Sequence, residues 1–252
     1  DPGSLTVDEI VEKVRLAGVV GMGGAAFPAH VKMSPPPEKK ISTLIFNGVE
    51  CEPYLTADHR MMLEEPERVL QGVALLQYVF CAERVVIRIE ANKPDAIALL
   101  EKESAGAPVE ILPLQVKYPQ GAEKQLIAAV TGREVPSGGL PMDISVAVHN
   151  ISTAAAVADA VLFGRPLIER VCTVTGPAIR EPKNLRIRIG TPLSHLVEVC
   201  GGVTEDPGKI VLGGPMMGFT QLYFDVPATR GTSGLLLLRD EDVDRQEEGP
   251  CI

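Results

Sequence analysis

Between Ile41 and Leu114 the sequence switches repeatedly between two hydrophobic periods, and this alternation limits the folds open to the chain more than any single motif. Ile41 to Phe46 is a strand-sized aliphatic run. Pro66 to about Phe80 follows, with Val69, Val73, Leu76 and Phe80 on one helical face. Arg84 to Glu90 sets Val85, Ile87 and Ile89 at alternate positions. A turn at Asn92-Lys93-Pro94 opens a second helix to about Glu103, and Val109 to Leu114 is another strand. Parallel strands need a long crossover, usually a helix, so this order predicts an α/β domain whose parallel sheet is covered by helices. An N-terminal helix is predicted from Thr6 to about Ala17. Thr6 and Glu9 form its capping box, and Val7, Ile10, Val11 and Val14 its apolar face. Farther on, Gly121 to Val130 reads as a helix and Val146 to Val148 as a short strand. Ser152 reads as the cap of an alanine-rich helix to about Phe163. Thr56 to Met62 is polar and mixed, with no element assigned.

From Glu169 the pattern changes. Val171 to Thr175 and Leu185 to Ile189 read as strands around a Pro-Lys-Asn turn. Thr191-Pro192 opens a helix with Leu193, Leu196, Val197 and Cys200 inward, and Ile210 to Leu212 and Leu235 to Leu238 are two more strands. So few elements in this order predict a small β-grasp (ubiquitin-like) domain. The expected division is 5–166 for the α/β domain, 167–240 for the β-grasp domain and 241–252 for an acidic tail.

Composition removes several functions. The net charge is −9, no basic stretch forms a nucleic-acid footprint, and tryptophan is absent, so nucleic acid is set aside as a partner. No apolar run approaches the ~18 residues that a membrane helix requires, so no membrane span is expected. The five cysteines, Cys51, Cys81, Cys172, Cys200 and Cys251, form no C-x-x-C pair, which suits a reducing cytoplasmic setting. Cys81 and Cys200 fall at apolar helix positions and are expected to be core thiols.

Four polar segments fall at element ends. Gly21-Met22-Gly23-Gly24-Ala25-Ala26-Phe27-Pro28 lets main-chain N–H groups approach a phosphate or a flat ring, with Lys32 as a nearby cation. It is neither a Rossmann fingerprint nor a P-loop, because it follows a helix and lacks the Gly-Lys-Ser/Thr ending. Asn47-Gly48-Val49-Glu50-Cys51-Glu52-Pro53-Tyr54 puts an amide, two carboxylates and a thiol at the mouth of a strand. Those carboxylates must face a cleft or hold donors. The third segment runs from Lys117 to Lys124. At the fourth, His149-Asn150, the helix start offers a second anion site, and His149 reads as a loop histidine without a ligand role. Together they contain no nucleophile–base pair and no metal-ligand spacing. Such a set suits a polar, phosphorylated cofactor that brings its own chemistry.

These segments, with Leu55-Thr56-Ala57-Asp58, Asn92-Lys93-Pro94 and Pro136-Ser137-Gly138-Gly139-Leu140-Pro141, resemble the C subunit of the Rnf electron-transport complex (the RnfC family). That family is related to the flavin-bearing, NADH-oxidising subunit of respiratory complex I. The resemblance runs from about Thr6 to Arg239. It implies a Rossmann-like FMN/NADH-binding domain followed by a soluble-ligand-binding β-grasp (SLBB) domain. Gly21, Gly23, Gly24 and Lys32 would hold the nucleotide phosphates. Asn47 and Glu50 would contact the flavin, Tyr118 and Gly121 would line its pocket, and Asn150 and Thr153 would lie at the flavin phosphate. Phe27, Glu52 and Glu123 would serve the NADH side. Met22, Val49 and Ala122 depart from the complex I pattern, where an arginine and two acidic residues stand.

The resemblance further implies a peripheral electron-input subunit on the cytoplasmic face of the cell membrane, working with the other Rnf subunits and reaching ferredoxin through them. Hydride would pass between NADH and FMN, which requires orientation rather than a protein base. Two 4Fe-4S clusters would follow in the full-length protein, with Cys251 as the first ligand, and no metal is expected in this chain. A cobalamin reductase-type flavoprotein shares the domain order, and a docking module without flavin is the third alternative.

Overall fold

Thr43–Gly48 (β1) is buried along nearly its whole length, the condition met by a central parallel strand with helices on both faces. It pairs in parallel with Arg84–Glu90 (β2) on one side and Val146–Asn150 (β4) on the other, and Glu110–Leu114 (β3) lies beyond β2. The order is β3-β2-β1-β4. After β3 the chain therefore returns to the opposite side of β1, which makes the carboxyl ends of β1 and β4 a topological switch point, where open α/β sheets bind ligands. The computed structural model describes residues 5–243.

Val7–Leu16 (α1) carries the predicted capping box, with the Thr6 hydroxyl accepting from Glu9 N–H and the Glu9 carboxylate from Thr6 N–H. Ala29–Lys32 (α2) is a single turn after the glycine loop. Ala57–Glu64 (α3) and Pro66–Phe80 (α4) connect β1 to β2, Pro94–Glu103 (α5) connects β2 to β3, and Glu123–Thr131 (α6) precedes β4. Ile151–Leu162 (α7) is buried along almost its whole length. One apolar layer gathers α1, α4, α5 and α7 on one face of the sheet, around Phe46, Leu76, Ile87 and Val157. On the other face, Ile45, Val86 and Val148 pack under Leu126, Ile127 and Val130 of α6. Small residues bring α4 and α7 together: a Cβ on Gly72 would lie 1.8 Å from the Ala154 carbonyl oxygen.

Three sequence expectations are corrected. The segment from Thr56 to Met62 is mostly helix, α3. Ser152 does not cap α7; Asn150 does, its Oδ1 accepting from Ser152 N–H at 2.9 Å and Thr153 N–H at 3.3 Å. Cys81 is not a core thiol: it closes α4 in the left-handed region (φ +49°), with its side chain exposed, whereas Cys200 is buried.

The second half forms a five-stranded sheet from Glu169–Thr175 (β5), Lys183–Arg188 (β6), Lys209–Leu212 (β7), Phe219–Gln221 (β8) and Gly234–Leu238 (β9), in the order β6-β5-β9-β7-β8. β5 and β9 are parallel and the other pairs antiparallel, and Leu193–Val199 (α8) closes a separate core. This is the expected small β-grasp unit. β8 is the strand that the sequence pattern does not reveal, being three largely exposed residues without alternation. Among the described residues no helix is long and apolar enough to cross a membrane. Cys251 and the tail from 244 onward lie outside the described residues, and so does its expected role as a cluster ligand.

Candidate functional site

The switch point gathers the predicted segments. Asn47 and Asn150 are register partners at the ends of β1 and β4. Asn47 Nδ2 donates to the Gly121 carbonyl at 2.8 Å and its Oδ1 accepts from Val49 N–H, so one side chain ties the end of β1 to the loop before α6. Gly121 has to be small there: a Cβ would lie 2.9 Å from Cys51 Sγ. The Tyr118–Pro119 bond in the same loop is cis, and Tyr118 is partly exposed at the rim.

Glu50 stands in the left-handed region at φ +50°, a conformation that costs a non-glycine residue of order 1 kcal/mol or more and survives only when its surroundings impose it. Here they do. Its carboxylate accepts from Asp58 N–H at 2.7 Å and His59 N–H at 3.0 Å, which caps the first turn of α3 from outside the helix. Burial first, and then the neighbouring Asp58 charge, push the Glu50 carboxyl up to about 8. Asp58 is also raised by burial, while Ser152 Oγ and Asn150 Nδ2 donate to it at 2.5 and 2.6 Å. Lys93, also buried, donates to the Val49 carbonyl at 2.9 Å and lies 3.5 Å from Glu90. Sequence reasoning gives Asp58 and Lys93 no individual role. Their signals are a carboxylate at the second position of a helix and a lysine at a strand-to-helix turn.

The glycine loop folds back on itself, with Gly21 N–H donating to the Phe27 carbonyl at 2.7 Å and leaving Phe27 half exposed. Met22 N–H donates to Thr153 Oγ1 at 2.8 Å, and Gly23 rests against Asn150. Gly24 (φ +117°) has open space where a Cβ would stand. Lys32 Nζ lies 2.6 Å from Glu123, so two residues expected on different ligands form one ion pair. Glu52 turns toward the second domain. Its Oε2 accepts from Met216 N–H of that domain at 3.0 Å, and its Oε1 is buried with no partner among the described residues.

Two expectations at β4 change. His149 is not a loop residue: it is a buried strand residue between the rings of Phe46 and Phe80, and burial, with Lys32 a smaller cause, pushes its imidazole down to about 3. The start of α7 is also a poorer anion site than expected, because Asn150 Oδ1 already takes the Ser152 and Thr153 amides. Groups available to an anion include the Lys32 ammonium, here paired with Glu123, and amides of the glycine loop such as the Gly23 N–H, to which no described residue offers an acceptor.

A parallel sheet with a topological switch point and polar loops at its carboxyl end is the architecture on which nucleotide cofactors commonly bind. Comparison with known proteins gives the class: the chain belongs to the family described as the Nuo51 FMN-binding domain, which matches residues 14–159, and an SLBB domain matches residues 171–220. Among curated relatives it is 51% identical over 98% of its length to the C subunit of the proton-translocating ferredoxin:NAD(+) oxidoreductase complex of Clostridium ljungdahlii. It is 48% identical over 98% to the Na(+)-translocating counterpart of Acetobacterium woodii, and 43% identical over its full length to the C subunit of an ion-translocating oxidoreductase complex of Rhodobacter capsulatus. The resemblance to the RnfC family is thereby borne out. The chain spans 54%, 56% and 49% of these relatives. A structure of the NAD+-reducing NiFe hydrogenase in its H2-reduced state shares the fold, with a TM-score of 0.74 at 22% identity over 94% of this chain and 47% of that one.

Proposed function

We propose that this chain is the flavin- and nucleotide-binding part of the RnfC component of an ion-translocating ferredoxin:NAD oxidoreductase, with FMN and NAD(H) both bound at the β1–β4 switch point. The observation that carries this reading is the convergence of Asn47, Glu50, Gly121, Asn150 and the unengaged Gly23 N–H at the carboxyl ends of two parallel strands. Bound there, the flavin supplies hydride exchange with the nicotinamide and one-electron release.

The chain's own residues bind and orient. The Gly23 N–H and Lys32 fit a phosphate, with Glu123 holding the ammonium until the anion arrives. Asn47 and Gly121 set the wall against which a flat ring packs. The unpartnered Glu52 Oε1 fits a donor such as a ribose hydroxyl or a carboxamide N–H. Its neighbour Met216 comes from the SLBB domain, so both domains border the nicotinamide side. Division at about residue 166, two 4Fe-4S clusters in the full-length protein, assembly with the other Rnf subunits, and a peripheral place on the cytoplasmic face of the membrane complete the reading.

FMN titration followed by anaerobic NADH addition tests it. Saturable binding with bleaching of the flavin band near ~450 nm is expected. Absence of flavin binding in a folded chain supports a docking module instead.

A further inference from the structure

Arg170 lies near the start of β5 in the second domain, yet its guanidinium reaches the glycine loop of the first. Nη2 donates to the Met22 carbonyl at 3.3 Å, Nη1 to the Arg230 carbonyl and Nε to the Val171 carbonyl. All three acceptors are neutral main-chain groups, and the side chain is 4% exposed. A buried cation whose hydrogen-bond acceptors are all carbonyls, with the Asp58 charge acting on it without a direct bond, is costly to keep and pulls on whatever anion approaches.

We propose that Arg170 is a positioning residue for the phosphate cradle, one that fixes the direction of the Gly23 N–H from behind. In a trans peptide the C=O and the next N–H point opposite ways. Holding the Met22 carbonyl therefore aims the Gly23 amide away from Arg170. Met22 is gripped on its other side by Thr153 Oγ1, so both of its main-chain polar groups are fixed. The guanidinium also adds positive potential to that of Lys32 and Lys93, against the Asp58 carboxylate. The second domain thus completes the anion site without touching the ligand. The identity of that anion as the FMN phosphate rests on the function proposed above.

FMN and riboflavin differ only in the phosphate, so titrating both into the 252-residue chain and into Arg170→Met and Arg170→Lys separates positioning from general support. The parent is expected to prefer FMN. Arg170→Met is expected to lose about tenfold in FMN affinity with riboflavin affinity unchanged, and Arg170→Lys to recover part of the loss. If Arg170→Met fails to fold, Arg170→Lys and Thr153→Val decide, and each is expected to narrow the FMN preference. An unchanged preference in the folded variants, or equal weakening of both ligands, overturns the inference alone. A folded parent that binds neither flavin overturns the flavin reading, and the inference falls with it.

Discussion

Asn47 and Asn150 face each other across β1 and β4, and each uses its side-chain amide at a different segment. Asn47 takes the Gly121 carbonyl and the Val49 N–H; Asn150 takes the start of α7 and the Asp58 carboxylate. The two are equivalent in the sheet and unequal in consequence. Asn47 joins loops at the open end of the sheet, whereas Asn150 secures a helix that is part of the core.

Asn47→Ala is therefore expected to weaken FMN binding about tenfold while the urea midpoint stays near that of the parent. Asn150→Ala is expected to lower stability by about 1 kcal/mol through the lost cap. Chemical denaturation and flavin titration of both variants check this. Equal effects of the two changes on stability would contradict the assignment.

Glu50 governs an alkaline limb of stability. With its native pKa near 8 and an ordinary value of 4.5, it stays protonated in the folded chain and ionises on unfolding between those values. The native state binds more protons in that window, so stability falls as pH rises from about 5 to 8. Calorimetric melting temperatures across this range are expected to decline for the parent and to decline less for Glu50→Gln, which carries no ionisable group.

His149 produces the opposite limb. Its imidazole titrates near 3 when folded against an ordinary 6.5, so the unfolded chain binds more protons between these values and stability falls as pH drops below 6.5. His149→Leu is expected to flatten this acid limb. Because Nε2 has no partner among the described residues, the change is also expected to be neutral or stabilising by about 1 kcal/mol at pH 7. A large loss of stability at neutral pH would show that the ring makes a needed bond.

Lys32 and Glu123 are both partly exposed, so their ion pair is worth less than about 1 kcal/mol to the fold. Its importance lies in competition with an incoming phosphate. Glu123→Gln is expected to tighten FMN or NADH binding about threefold. Lys32→Met is expected to weaken it about tenfold and to reduce its salt dependence. Titrations at two ionic strengths measure both effects.

The helices and strands from α4 to β3 are legible in the sequence because each carries its own period: Val69, Val73 and Leu76 at helical spacing, Val85, Ile87 and Ile89 alternating. α3 is not, because its N-terminal amides are held by Glu50, seven residues before the helix begins, and a cap supplied by tertiary contact leaves no local mark. The same reason hides the partner of Glu52. Its acceptor role is written in Met216, 164 residues away in another domain. The polar segments stand out as a group, since clustered glycines, carboxylates and amides at element ends are a compositional signal. Which of them bond to one another, as Lys32 does to Glu123, depends on loop paths that no spacing encodes.

The segment from Glu52 to Thr56 has a consequence for how such proteins are recombined. Glu52 is held by Met216, Thr56 N–H donates to Thr173 Oγ1, and the Thr56 hydroxyl meets Asn184. A loop of the nucleotide domain thus takes its shape from the β-grasp sheet as from a mould. The two halves are not interchangeable cassettes: a chimera that joins this first half to a foreign β-grasp unit would inherit every residue at the switch point and still present them in an altered arrangement.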